Sequence, residues 1–232
     1  LQQAMQRFDI AENQIQLLDG FESFIYEFER NGQQYILRVA HSRRRTESLI
    51  RGEVDWINYL ADGGAGVSRA ISSANGRLVE SIDDARGGQF LATAFEKAPG
   101  GPLWERDLPA DFDQIYGQTI GKLHALSKHY LPTAPDCIRP QWNDPINIDI
   151  EGMLPAADGE ILAKYQELRR YLESLPQDKE SYGLIHQDAH GGNFFVDDSN
   201  RITLFDFDDC VYSWYISDIA MVIFYSHAPG NI

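Results

Sequence analysis

The chain has 232 residues, 20 of them Lys or Arg against 35 Asp or Glu, for a formal net charge of −15. That length suits one large domain or two small lobes with a real core, and 43% hydrophobic residues against 24% charged is an ordinary globular composition. The negative excess repels polyphosphate backbones and argues against sequence-independent nucleic-acid binding, and no apolar run approaches the ~20 residues of a membrane helix. Two cysteines, Cys137 and Cys210, are too few for a disulfide framework and point to a reducing, cytoplasmic setting.

The chain begins at Leu1 without Met and without a charged-then-apolar leader, which reads as a trimmed start. Residues 21–28 and 34–40 alternate apolar and polar around Asn31-Gly32, the signature of a β-hairpin. A basic loop, Arg43 to Arg45, leads into a helix predicted from about Thr46 to Leu60. Its apolar residues Leu49, Ile50, Val54, Ile57 and Leu60 recur every three or four positions. Gly63, Gly64 and Gly66 end it, and residues 67–95 read as further short strands with turns at Asn75-Gly76 and Gly87-Gly88. The first portion is therefore β-rich with one helix.

Residues 98–102, Ala-Pro-Gly-Gly-Pro, form the best linker in the sequence and divide it into residues 1–97 and 98–232. Helices are predicted near 111–129, with Ile115, Ile120, Leu123 and Leu126 in phase, and near 158–175, with Ile161, Tyr165, Leu168 and Leu172 in phase. Residues 183–196 and 201–207 return to short strands around the turn at 197–200. The apolar run 219–225 reads as the opening of a helix, and the sequence stops soon after it, at Ile232, so further C-terminal structure is expected beyond it. Charge divides unevenly across the linker: residues 1–97 carry a net −3 and residues 98–232 a net −12.

The chemistry concentrates in 183–209. Asp188 and Asn193 lie five apart in a glycine-containing loop between apolar segments, and Asp206 follows thirteen residues later at the end of the next strand. A hairpin returns its second strand beside its first, so Asn193 and Asp206 can converge. One amide oxygen and one carboxylate, with room for water and phosphate oxygens, suit Mg²⁺, and Asp188 nearby could accept the proton of an attacking hydroxyl. Phosphoryl transfer needs these parts: a cation to neutralise charge and a carboxylate to orient the nucleophile. Taken singly, Asp188 and Asn193 also suit turn residues that bond their own backbone. His186-x-Asp188-x-His190 permits a zinc reading, but the other histidines form no recognisable ligand pair.

His186-x-Asp188-x-His190-x-Gly192-Asn193 followed by Asp206-Phe207-Asp208 resembles the aminoglycoside phosphotransferase/choline kinase-like family. The resemblance implies an α+β, protein-kinase-like two-lobed fold, with a β-rich N-lobe carrying one main helix and a mostly helical C-lobe carrying the catalytic loop and a short hairpin. It implies ATP and Mg²⁺ as cofactors, Asp188 as the base, and Asn193 and Asp206 as metal ligands. It places His186 and His190 in supporting roles, His186 bracing the loop by hydrogen bonding. Asp208 stands where protein kinases have Gly and is expected to assist metal or substrate, while Asp209 and Cys210 belong to the following loop. Asp218, just before the apolar run, reads as a helix cap.

Arg38 is a cation within an apolar strand, which alternation allows to face solvent. The resemblance instead places it where the family has a Lys or Arg reaching the α- and β-phosphates, a role that calls for a carboxylate partner on the following helix. Glu47 stands four before Arg51, the spacing of an exposed surface pair, whereas Glu53, between Leu49 and Ile57, points inward and is the expected partner. Gly20 to Tyr26 would be the phosphate-covering loop, with Gly20 its one glycine and Ser23 a donor to phosphate oxygens. Residues 94–97 would form the hinge that meets adenine through the backbone.

The expected function is an ATP- and Mg²⁺-dependent kinase acting on a hydroxyl of a small molecule. The acidic second portion is compatible with a cationic, amine-bearing acceptor, since an acidic cleft concentrates cations. A nucleotide-binding relative with weak or no catalysis is the alternative. A protein kinase is disfavoured by Asp208 and by the lack of a recognisable activation segment.

Overall fold

The computed structural model describes residues 1–18, 20, 22–146, 150–153 and 159–227. The C-terminal stretch 228–232, Phe21 of the expected phosphate loop, and residue 158 at the expected start of a helix lie outside them.

The N-lobe is a six-stranded antiparallel sheet. A short helix, α1 (Gln2–Arg7), precedes strand β1 (Ile15–Leu17), and β2 (Phe24–Arg30) and β3 (Gln33–His41) form the expected hairpin. Asn31 and Gly32 both have positive φ, 56° and 76°, which is the turn geometry that matches strand twist. Helix α2 (Glu47–Asp62) follows the basic loop and is capped by Thr46, whose hydroxyl accepts from the Leu49 amide at 3.3 Å. Strands β4 (Ala70–Ile71), β5 (Glu80–Asp83) and β6 (Gln89–Glu96) complete the sheet, which runs β1-β2-β3-β6-β4 with β5 also paired to β6. The register sets Arg38 of β3 opposite Ile25 and Thr93.

Beyond the linker come α3 (Phe112–Ser127), α4 (Ile150–Met153) and α5 (Gly159–Glu173), then β7 (Tyr182–Ile185), β8 (Phe194–Val196), β9 (Ile202–Leu204), β10 (Val211–Trp214) and α6 (Ile216–His227). Strands β8 and β9 pair as a hairpin, Phe194 opposite Leu204. Strand β10 pairs with β7 across 25 intervening residues, a contact that no local pattern announces. The apolar stripe expected on α5 is present in phase but not covered: Ile161 and Leu168 are more than half exposed, and no residue of α5 is buried.

The main core joins the two lobes. Ile50, Val54, Trp56 and Leu60 of α2 pack in one cluster with Leu184, Phe194, Leu204 and Phe207. Each buries apolar area worth roughly 1.5–3 kcal/mol per side chain, and together they fix α2 against the loops that follow β7 and β9. Among the described residues no helix is long and apolar enough to cross a membrane.

Candidate functional site

A cleft of about 1070 Å³ opens between the sheet and the C-lobe loops, and Gly20, Ser23, Arg38, Asp188, Asn193 and Asp206 all line it. The site assembles from four local pieces.

The first piece is the pair on β3 and α2. Alternation along β3 puts Arg38 on the face opposite Leu37 and Val39, and there it meets Glu53 of α2, so that it is 7% exposed rather than solvent-facing. Its Nη1 and Nη2 donate to Glu53 Oε1 and Oε2 at 2.8 and 2.6 Å, a bidentate fork. Burial raises the Glu53 carboxyl despite the opposing charge of Arg38, while burial works to lower the Arg38 guanidinium and Glu53 more than reverses it. Both groups are held by each other, and Lys could not replace this planar fork. Glu47 instead accepts from the Ser81 hydroxyl at 2.6 Å, and Arg51 pairs with Asp136 at 2.7 Å.

The second piece is the loop after β7. Asn193 donates its Nδ2 to the Asp188 backbone oxygen at 2.8 Å and to Asp188 Oδ2 at 2.9 Å. His190 Nε2 lies 3.5 Å from the same carboxylate oxygen, and the His190 ring packs at a tilt against Tyr225, 4.3 Å between centroids. Burial raises the Asp188 carboxyl above its ordinary range, against the lowering influence of His190, His186 and the Asn193 amide. His186 is fully buried; its Nδ1 accepts from the Asp188 amide at 3.3 Å and its Nε2 meets the Phe205 carbonyl at 3.0 Å. That arrangement requires the neutral Nε2–H tautomer and occupies both nitrogens, so His186 braces the loop and has no lone pair left for zinc.

Asp218 is the anchor of this loop. It sits in the first turn of α6 rather than capping it, fully buried. Its Oδ2 accepts from the His186 amide at 3.2 Å and meets His124 Nε2 at 2.8 Å, and its Oδ1 accepts from the Gln187 amide at 2.7 Å. These bonds hold Gln187 at φ 74°, a left-handed conformation unusual for a residue with a side chain. Tyr116 of α3 adds a hydrogen bond from its hydroxyl to the Ala189 carbonyl.

The third piece is the turn after β9. Phe205 N donates to the Asn193 carbonyl at 3.0 Å, which continues the hairpin and brings Asp206 toward Asn193. Asp206 has φ 59° and is exposed in the cleft; its carboxylate accepts no hydrogen bond from any described residue. Phe207 is gripped between Trp56 of α2 and the His186 ring, with centroids 5.4 and 4.3 Å away. Asp208 is tied instead by arginines: Arg44 and Arg45 bond its Oδ2, Arg45 Nε at 3.1 Å, and Arg38 Nη1 lies 3.9 Å from its Oδ1. Burial alone would raise the Asp208 carboxyl, but Arg38, Arg45 and Arg44 overcome it and hold it at about 2. Asp209 pairs with Arg45. The Cys210 thiol is fully buried, and burial pushes it up to about 12, so it is no nucleophile.

The fourth piece is the loop before β2. Gly20 lets it fold tightly: a Cβ there would stand 2.5 Å from the Ser23 carbonyl oxygen and 3.0 Å from Ile25. Glu22 of this loop forms an ion pair with Arg44, which therefore bridges the loop to Asp208.

A divalent cation fits this donor set. The Asn193 Nδ2 is committed to Asp188, which leaves its amide oxygen available as a ligand; Asp206 lines the same cleft, and among the described residues no donor bonds its carboxylate. One neutral and one anionic hard oxygen, with space for water and phosphate oxygens, are what Mg²⁺ prefers. Sequence reasoning did not find the grip of Arg44 and Arg45 on Asp208 or the anchoring by Asp218. The basic run 43–45 was the one visible signal for the former.

A two-lobed kinase-like fold with an acidic loop, a buried arginine–glutamate pair and an open cleft defines the class of phosphoryl-transfer enzymes. The chain belongs to the phosphotransferase enzyme family (APH), whose model matches residues 14–231. It is 34% identical over 224 residues to amicoumacin kinase of Bacillus subtilis (strain 168), covering 97% of this chain and 66% of that protein. Among solved structures it is similar to amicoumacin kinase hAmiN in complex with AMP-PNP, Ca²⁺ and Ami, with a TM-score of 0.91, 35% identity, and coverage of 98% of this chain and 70% of that one. It is also similar to a microcompartment-associated aminopropanol kinase, with a TM-score of 0.77, 29% identity, and coverage of 98% and 74%. The chain thus spans 50–66% of the length of the curated relatives it matches.

Proposed function

We propose that this chain carries the nucleotide and catalytic machinery of an ATP- and Mg²⁺-dependent kinase that phosphorylates a hydroxyl of a small, amine-bearing molecule. The observation that carries the reading is Asp188: a half-buried carboxylate with a raised pKa, fixed by Asn193 in the same cleft as Arg38 and Asp206. Residues 1–97 serve as the nucleotide lobe and residues 98–232 as the catalytic and acceptor lobe, in the cytoplasm. Gly20 and Ser23 cover the phosphates, and Arg38, aligned by Glu53, binds them through its fork.

Asn193 and Asp206 would hold Mg²⁺, which when bound neutralises phosphate charge. Asp188 receives the proton of the acceptor hydroxyl as that oxygen bonds to the γ-phosphorus and ADP departs. Its raised pKa makes it a better proton acceptor than a solvated aspartate, while His190 keeps it from being raised further. An amine-bearing acceptor is supported by the net −12 of residues 98–232 and by the similarity to an aminopropanol kinase, an amino-alcohol enzyme by name.

Asp188→Asn keeps the shape and removes the base. It is expected to lower turnover by roughly 10²–10⁴-fold while Mg·AMP-PNP binding by calorimetry stays within about threefold of wild type. Full turnover in that variant would remove Asp188 from the role.

A further inference from the structure

We propose that Arg139 is a positioning residue that couples the phosphate-binding pair to the metal carboxylate, by strapping the turn of α2 that bears Glu53 to the Asp208–Cys210 turn that follows Asp206. The inference rests on the kinase reading above and adds to it a residue that touches neither nucleotide nor metal.

Arg139 is 2% exposed, yet among the described residues its hydrogen bonds go to backbone carbonyls and none to a carboxylate. Its Nε donates to the Cys210 carbonyl at 2.8 Å, Nη1 to the Leu49 carbonyl at 2.8 Å, and Nη2 to the Asp208 carbonyl at 2.5 Å. Burying a cation is costly, and a core that needed only bulk would place an apolar side chain here. The three acceptors explain the choice. Leu49 O is the carbonyl one helical turn before Glu53, the one that receives the Glu53 amide in regular helix geometry. Asp208 and Cys210 lie two and four residues beyond Asp206. One rigid guanidinium therefore fixes the distance between the backbone that aims Glu53, and through it Arg38, and the backbone that presents Asp206. The charge also favours the ionised form of Glu53.

A second observation shows that the segment carrying Arg139 is built to sit at this place. Gly52 of α2 faces it: a Cβ at Gly52 would stand 3.1 Å from the Cys137 carbonyl carbon and 3.2 Å from both the Cys137 oxygen and the Ile138 carbonyl carbon. Only a residue without a side chain lets the 137–139 backbone lie flush on the helix. Ser48 Oγ bonds the Asp136 carbonyl at 2.6 Å on one flank, and the Tyr212 amide bonds the Pro140 carbonyl at 2.9 Å on the other. The strap is thus pinned to α2 and to β10 at once.

The consequence is linkage. If one strut sets both the cation and the metal carboxylate, Mg²⁺ and nucleotide bind cooperatively, and weakening the strut lowers the factor by which each favours the other. The test is calorimetric titration of the chain with AMP-PNP, in EDTA and in saturating Mg²⁺, for wild type, Arg139→Met, Arg139→Lys and Gly52→Ala, with a melting curve for each. The Met variant keeps bulk without donors, and Lys keeps charge but loses the fork. Gly52→Ala pushes the segment off by a few tenths of an ångström. The expected result is that the Mg²⁺-dependent gain in affinity falls about tenfold in Arg139→Met and severalfold in Arg139→Lys and Gly52→Ala, while metal-free affinity stays within about threefold.

Variants that melt lower but keep the wild-type gain, or that lose metal-free and metal-bound affinity equally, overturn the proposal and leave Arg139 a packing residue. Should Arg139→Met not fold, the other two variants decide by the same criterion. A wild-type chain that binds no nucleotide under either condition overturns the kinase reading itself, which separates the two failures.

Discussion

Removal of one partner of the Arg38–Glu53 pair is the most informative perturbation of the proposed nucleotide lobe. Glu53→Gln leaves a guanidinium that is 7% exposed facing a neutral amide. Stranding a buried charge in this way ordinarily costs about 3–5 kcal/mol. Here a second anion softens the loss: Asp208 Oδ1 stands 3.9 Å from Arg38 Nη1. At that separation the gross attraction is about 4 kcal/mol for an effective dielectric near 20, already shared with Arg44 and Arg45. The expected cost therefore lies at the lower end, about 3 kcal/mol. Replacing both partners by apolar residues of similar volume, Arg38→Met with Glu53→Leu, removes the stranded charge and is expected to recover most of that stability. With Arg38 as the proposed phosphate-binding cation, nucleotide affinity is expected to fall in both variants, by about tenfold or more, because that cation is lost or misaimed. Urea unfolding at pH 7 measures the first quantity and AMP-PNP titration the second. A double variant as unstable as the single one, or one that binds nucleotide like wild type, would refute the reasoning that this buried pair exists for binding rather than for stability.

Three further outcomes follow from the same geometry. Asp218→Asn exchanges a buried anion that holds two loop amides and His124 for a neutral amide; it should destabilise the fold by about 1.5–3 kcal/mol. It should also lower turnover more than tenfold by releasing Gln187 from its left-handed conformation, and equal turnover in steady-state assays would contradict that role. Cys210, buried with its thiol near 12, should resist alkylation by iodoacetamide at pH 8 in the native chain and react only on denaturation, as read by mass spectrometry. His190→Ala removes a neighbour that lowers the Asp188 carboxyl, so the acid limb of the rate–pH profile should move to higher pH. A limb that moves down or stays fixed would detach His190 from Asp188.

The elements legible in the sequence are those whose determinants are local. The Asn31-Gly32 turn specified the β2–β3 hairpin, and the three- and four-residue apolar spacing with Thr46 at its head specified α2. The inward position of Glu53 on α2 followed from the helical periodicity, whereas for Arg38 on β3 alternation also allowed a solvent-facing position and only the family resemblance favoured the cleft; the structure joins the two. The 188–206 spacing marked the loop and hairpin because five and thirteen residues are lengths that a turn and two short strands consume. What escaped depends on distant backbone. Asp218 anchors amides 31 and 32 residues earlier, and nothing near it distinguishes that task from capping. Arg139 speaks only to carbonyls, which every residue possesses, so no complementary side chain advertises it. Asp208, expected to assist metal or substrate, lines the cleft, but its bonds to Arg44 and Arg45 reach across more than 160 residues of chain and no local pattern announced them. The α5 stripe shows the converse limit: periodicity fixed the helix but not a partner for its apolar face.

Phosphoryl transfer from ATP to a small amine-bearing alcohol, with Asp188 as base, is the reaction proposed for this cleft. It is tested most directly by ADP release from Mg·ATP across a panel of amino alcohols, aminoglycosides, choline, homoserine and neutral sugars, run in parallel on the wild-type chain and Asp188→Asn. The expected result is ADP release stimulated by at least one amine-bearing member and lost in the variant. Nucleotide binding with no stimulated release by any acceptor, or equal release by both proteins, would contradict it.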